Sequence, residues 1–240
     1  WCLTHADRVT TASRWLRAYA SGLRTDPAHV IHLPNGVEDA QVHRGARAVR
    51  RGPPTLLLYT RFVEVTPARV VRIWAQVVQR APGARLMVVG DETPGGRFPG
   101  PEAVSAAHAL RTLAAAAGLQ ASLLVLGWTP ALALPGVLAA ADVAWAPFAD
   151  TAVNRARCSV KLAEILAAGL PLVADDVGEA ATYVASGLNG LLIQPGADEL
   201  TVQALCRLLS DRQHARALGQ EAARRMADAF LWDRLVQRLL

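Results

Sequence analysis

"DVAWAPFADTAVNRARCSVKLAEILAAGLPLVADDVGE", residues 142–179, reads as a strand, a long loop, a helix and a second strand. The runs "DVAWA" (142–146) and "PLVA" (171–174) are short and apolar on both faces, as a parallel sheet covered by helices on each side requires. The helix between them, "SVKLAEILAAG", is apolar and stops at a glycine. The same alternation spreads outward. "TLLLY" (55–59), "RLMVV" (85–89), "LLVL" (123–126) and "GLLI" (190–193) read as further buried strands. "PARVVRIWAQVVQRAPG" is an amphipathic helix with a Pro-Gly stop, and "EAVSAAHALRTLAAAAG" ends at Gly118, a natural C-terminal cap. This order predicts an α/β fold with a doubly wound parallel sheet.

The first 36 residues differ. "DRVTTAS", "RWLRAYASG" and "HVIHLPNGVE" form a β-α-β remnant whose partners in the sheet are expected upstream of residue 1. A polar stretch rich in Arg and Gly over 37–53 reads as a linker. Residues 54–226 carry the main domain, and 227–240 a closing helix, the last of three helices expected after the final strand.

Composition narrows the function classes. A chain of 240 residues with 52% hydrophobic content can bury a full core. The net charge of +5 suits anionic ligands such as phosphates, and also an acidic lipid surface, so a peripheral contact with an anionic membrane is an expectation. Aromatic residues make up only 5% and interleave with no basic cluster, so no nucleic-acid partner is expected. Cys2, Cys158 and Cys206 are odd in number and lack CxxC spacing, which predicts a reducing, cytoplasmic setting. The histidines show no metal-ligand spacing, so no metal is expected. Residues 113–141 carry no formal charge, but glycines and prolines break the run, so no membrane span is expected. The dinucleotide fingerprint, the Walker A loop and the GxSxG elbow are absent.

In open parallel sheets ligands sit beyond the carboxyl ends of the strands. There, Thr60 and Arg61 follow the strand at 55–59. The long loop at 146–159 feeds the helix that carries Lys161, the only lysine of the chain. Ser159 reads as that helix's N-cap, so the amides of Val160, Lys161 and Leu162 would face a ligand. The helix dipole favours an anion there, and Lys161 with Arg61 opposite would complete a diphosphate site. Glu164, one turn deeper on the same helical face, suits the vicinal hydroxyls of a ribose; alternatively Lys161 and Glu164 are a surface ion pair. Glu179 after "DDVG" reads either as a sugar contact or as a carboxylate at a helix N-terminus.

These residues resemble the GT-B glycosyltransferases of the glycogen-synthase and mannosyltransferase-like group, commonly called family 4. "ADRVTTAS" and "LPNGV" are similar to the end of that family's N-terminal domain, "LLYTRF" to its "GR" strand end, and "LMVVGD" and "LLVLGW" to its next two strands. "VKLAEILAAGLPLVADDVGE" is similar to its "lEamA.G.PvVa...g" block, and "NGLLIQPGADE" and "FLWDRLVQRLL" to its last strand and final helix. The resemblance implies a Rossmann-like GT-B C-terminal domain in a retaining transferase. It would need no cofactor: a UDP-, GDP- or ADP-sugar is its donor substrate, and a missing N-terminal domain holds the acceptor. It also implies that Arg61 binds the diphosphate, that Glu164 is the second glutamate of the EX7E motif, and that Gly127, Trp128 and Thr129 lie near the base. Three positions depart from the pattern: the usual lysine falls on Thr66, the glycine after it on Pro67, and the first glutamate of EX7E on Ala156. Lys161 is then expected to replace the missing lysine electrostatically. Two other readings stay open, a non-catalytic nucleotide-sugar-binding module and a nucleotide-sugar epimerase on the same architecture.

Overall fold

The computed structural model describes residues 2–43, 45, 52–90 and 105–239. After a short helix α1 (Cys2–His5), strand β1 (Val9–Thr11), helix α2 (Arg14–Gly22) and strand β2 (Val30–His32) form the expected β-α-β unit, with β1 and β2 parallel. Ser13 sets the start of α2, its extended backbone letting the hydroxyl accept the Leu16 amide at 3.1 Å. Of the linker expected over 37–53, residues 44 and 46–51 lie outside the described set. Its beginning is not a solvated spacer, because Val37 and Val42 are buried in the core of the main domain.

The main domain follows as β3 (Thr55–Tyr59), α3 (Pro67–Arg80), β4 (Arg85–Val89), α4 (Ala106–Ala116), β5 (Leu123–Gly127), α5 (Leu134–Ala139) and β6 (Val143–Ala146). It continues with α6 (Ala152–Ala156), α7 (Val160–Ala167), β7 (Leu172–Asp175), α8 (Ala180–Tyr183), β8 (Leu191–Ile193), α9 (Asp198–Ser210), α10 (Arg212–Ala229) and α11 (Trp232–Val236). Six strands pair in parallel in the order β5-β4-β3-β6-β7-β8. From β3 the chain winds outward through β4 and β5, then returns to β6 on the other side. The winding direction therefore reverses between β3 and β6, which opens a crevice at the carboxyl ends of those strands.

The period-two geometry of a strand sends alternate side chains to two layers. Leu57, Met87 and Ala144 face Ile165, Leu166 and Met226 from α7 and α10. Leu56, Leu58, Val88 and Trp145 face Ile73 and Trp74 from α3 and Leu205 and Leu208 from α9. One strand departs from expectation. The sequence reads β5 as buried on both faces, yet Leu124 and Leu126 are 49% and 42% exposed, because β5 lies at the edge of the sheet. The loop expected to follow Val89, residues 91–100, lies outside the described set, as does the beginning of the helix expected from residue 102. Among the described residues no helix is long and apolar enough to cross a membrane; the uncharged run 113–141 is divided among α4, β5 and α5.

Packing of α10 on the end of α7 depends on Gly219. A Cβ there would sit 2.2 Å from the Gly169 carbonyl oxygen and 3.2 Å from Pro171 Cδ. Gly219→Ala gains helix propensity of about 1 kcal/mol, but the overpacking outweighs it. A net loss of roughly 2 kcal/mol is expected, read as a lower urea midpoint at unchanged slope.

Candidate functional site

The loop after β3 is wound around one carboxylate. Thr60 is buried, its amide donates to Val89 O at 2.9 Å, and its hydroxyl donates to Glu64 Oε2 at 2.9 Å while accepting the Phe62 amide at 2.8 Å. The Arg61 amide also reaches Glu64 Oε2, at 3.3 Å. To turn this tightly Phe62 adopts φ 57, the left-handed region that side chains rarely occupy. The winding leaves the Arg61 side chain exposed, with no hydrogen bond or ion pair to the described residues.

Across the switch point, the loop between β6 and α7 is stitched to the same residue. The Glu64 carbonyl accepts the Ala149 amide at 2.8 Å and Asn154 Nδ2 at 3.2 Å. Lys161, in the first turn of α7, donates to Glu64 Oε1 at 2.9 Å, and Arg157 Nη2 reaches the same oxygen at 3.2 Å. The Lys161 ammonium also lies 5.4 Å from the centre of the Tyr59 ring. Burial alone would raise the Glu64 pKa, but Lys161, the Thr60 hydroxyl and Arg157 outweigh it and hold the carboxyl below its usual range. Burial pushes the Lys161 ammonium down, Arg157 and Arg61 push it the same way, and Glu64 opposes them.

Arg61 and Lys161 line one cavity of about 320 Å³ together with Tyr59, Gly90, Trp128 and Thr129. It opens at the carboxyl ends of β3, β4 and β5, next to the switch point. Gly90 closes the wall at φ 99 and donates to Gly127 O at 2.8 Å, and Gly127 turns at φ 69 to let Trp128 emerge, 56% exposed, at the rim. The structure thus brings Arg61, Lys161, Trp128 and Thr129 together, with Gly127 beneath them. The remaining candidates lie elsewhere. Thr60, Ser159 and Leu162 border a nearly filled crevice beside Glu64 rather than the open cavity.

Ser159 stands at the N-cap position of α7, but its hydroxyl makes no capping bond, so it does not act as the side-chain cap that the sequence suggests. The Leu162 amide is already taken by Ser159 O at 3.2 Å, which leaves Val160 and Lys161 as the first amides of the helix. Val160 is about half exposed. Glu164 does not line the cavity; it is half-buried, and its carboxylate bonds to none of the described residues. Burial raises its pKa against the pull of Lys161. The expected Lys161–Glu164 surface pair is therefore not the bond Lys161 makes.

Glu64, Arg157 and Gly90 are absent from the sequence reading. The signal for Glu64 was present: a lone lysine on an apolar helix requires a buried counter-ion. Thr66 and Pro67 acquire a physical role. The Thr66 hydroxyl accepts the Arg69 amide at 3.3 Å and Pro67 occupies the first turn, so the two residues start α3. Glu179 stands at the N-terminus of α8, as one of its two readings has it. Its carboxylate caps no residue of α8's own backbone; it accepts the Arg14 amide at the start of α2 at 2.6 Å and the Thr182 hydroxyl at 2.6 Å, and lies 2.9 Å from His32 Nε2. Among the described residues no cluster of His, Cys, Asp or Glu is arranged to hold a metal ion.

Comparison with known proteins adds five findings. The family model described as glycosyl transferases group 1 matches residues 53–211. The chain is 28% identical, over 99% of its length, to a D-inositol 3-phosphate glycosyltransferase of Nocardia farcinica. It is 25% identical, over 97% of its length, to a GDP-mannose-dependent alpha-(1-6)-phosphatidylinositol monomannoside mannosyltransferase of Mycobacterium tuberculosis. It spans 52% and 60% of those two proteins. Among solved structures, sucrose-phosphate synthase from Thermosynechococcus elongatus superposes with a TM-score of 0.79 at 24% identity, covering 99% of this chain and 57% of that one. The Anabaena protein HepE in complex with UDP-glucose superposes at 0.71 with 18% identity, covering 99% and 64%. Both likenesses show the fold.

Proposed function

The chain belongs to the glycosyl transferases group 1 family, and from that premise we propose that its cavity holds the diphosphate of a nucleotide-sugar donor for glycosyl transfer. The observation that carries the reading is the meeting of Arg61, unpaired among the described residues, and Lys161 in one open cavity at the carboxyl edge of the sheet. Trp128 at the rim offers a flat face to a base. The UDP-glucose bound to HepE and the GDP-mannose dependence in the mycobacterial protein's name support a nucleotide-sugar donor.

As the bond from sugar to diphosphate breaks, negative charge grows on the leaving group. Fixed cations aimed at it lower that barrier, and the sugar, oxocarbenium-like, passes to an acceptor held by a further domain, with retention of configuration. Calorimetry with UDP, GDP, ADP and uridine tests the site. Arg61→Ala is expected to weaken the preferred diphosphate by about tenfold to a hundredfold and to leave uridine unchanged, since a charge-assisted bond to phosphate is lost and none to the nucleoside. Equal loss for uridine and UDP would count against the assignment of Arg61.

A second reading, a binding module without catalysis, is favoured by Ala156, which puts a methyl where the resemblance expects a carboxylate, and by the use of Thr66 and Pro67 to start a helix. Measurable donor hydrolysis or transfer excludes it.

A further inference from the structure

The chain carries one lysine in 240 residues, and its ammonium meets a carboxylate that the family resemblance does not assign. Resting on the donor-site reading, we infer that Glu64 is a positioning residue: its buried carboxylate holds the Lys161 ammonium, charged and oriented, at the wall where the diphosphate binds. Four donors saturate Glu64. Oε1 takes Lys161 and Arg157, and Oε2 takes the Thr60 hydroxyl and the Arg61 amide. At 5% exposure the carboxylate cannot be replaced by water without loss. Its fixed position sets that of Lys161, whose remaining protons are left for the Tyr59 ring and the cavity.

The groups facing Lys161 decide its charge. Burial, Arg157 and Arg61 oppose the ammonium and Glu64 supports it. Glu164, one turn away, is itself displaced toward its neutral form by burial, and burial likewise keeps the Tyr59 hydroxyl protonated. Among the described residues Glu64 is the carboxylate that bonds the ammonium, at 2.9 Å, so it is the main support of that charge. In Glu64→Gln the amide nitrogen confronts Lys161 and Arg157 in one orientation and the Arg61 amide in the other. Lys161 then loses its supporting charge while every opposing influence remains, so its proton leaves at lower pH than in the wild type. Diphosphate affinity should follow the proton.

The single lysine makes this directly visible. In the 240-residue chain labelled with [13C]lysine, one Cε signal reports Lys161 alone. Its alkaline titration is expected to move to lower pH in Glu64→Gln. In the variant UDP affinity is expected to fall by about tenfold over the pH range in which its own lysine signal titrates, whereas the wild type loses affinity only over the higher range of its own titration. Lys161→Ala should add nothing further to the Glu64→Gln loss once the variant's lysine has lost its proton, since the two act through one charge. Should Glu64→Gln fail to fold, the wild-type signal alone still decides: it must show a second inflection at acid pH, where Glu64 protonates. Parallel UDP profiles with an unmoved lysine titration, or a wild-type signal lacking the acid inflection, would overturn the inference. If no nucleoside diphosphate binds the wild type at all, the donor-site reading fails, and the lysine titration still judges the Glu64–Lys161 coupling.

Discussion

Lys161→Ala is expected to cut turnover on the order of a thousandfold, the upper end of what loss of one transition-state donor costs. The reason lies in what the substitution leaves behind. Removing the ammonium uncovers Glu64, whose Oε1 then presents negative charge toward the incoming diphosphate, with Arg157 as its remaining ionic partner. The same exposure destabilises the fold. Breaking a buried pair by deleting one partner costs roughly 3 kcal/mol, which lowers the urea midpoint. The sign of the pH effect follows from Glu64. Its pKa is depressed in the folded state, so its contribution is complete above the ordinary carboxylate range and is lost as pH falls through the folded value. Without Lys161 that acid-sensitive share of stability shrinks. A variant with wild-type turnover would remove Lys161 from the site.

Gly90→Ala is expected to be the more severe change for the fold. A Cβ at position 90 would lie 2.0 Å from the Thr60 carbonyl oxygen and 3.0 Å from its carbon, and φ 99 is strained for any residue with a side chain. Neither neighbour can yield cheaply, because Thr60 is fixed by its bonds to Val89 O and Glu64. Relief requires the ends of β3 and β4 to part, which also disturbs the bond from Gly90 to Gly127 O. A loss on the order of 4 kcal/mol is expected, among the large effects of point substitution, together with loss of UDP binding as Arg61 moves with Thr60. Equilibrium unfolding and calorimetry on the variant measure both. Stability within 1 kcal/mol of wild type, as surface changes give, would show that the close approach is relaxed easily.

The sheet was legible because its central strands are short runs buried on both faces, and β5 misled because nothing in "LLVLG" announces that one neighbour is missing. Arg61, Lys161, Trp128 and Thr129 could be found from the rule that ligands gather at strand carboxyl ends. Glu64 could not be placed by spacing, since its bond to Lys161 joins residues 97 apart along the chain. Ser159 misled for a local reason: the residue type suits a cap, but the cap depends on a rotamer that sequence does not fix. Glu179 resisted assignment because the amide it serves belongs to the other unit of the chain, 165 residues away.

That last bond joins the two sheets. Glu179 is 2% exposed, and it is held by Arg14 of the small sheet's helix and Thr182 of the large domain, with His32 at its side. Swinging the small unit away from the large one would take the Arg14 amide and His32 from a buried carboxylate and leave it the Thr182 hydroxyl. A rotation of the two units that keeps this carboxylate at its pivot therefore costs less than one that pulls them apart.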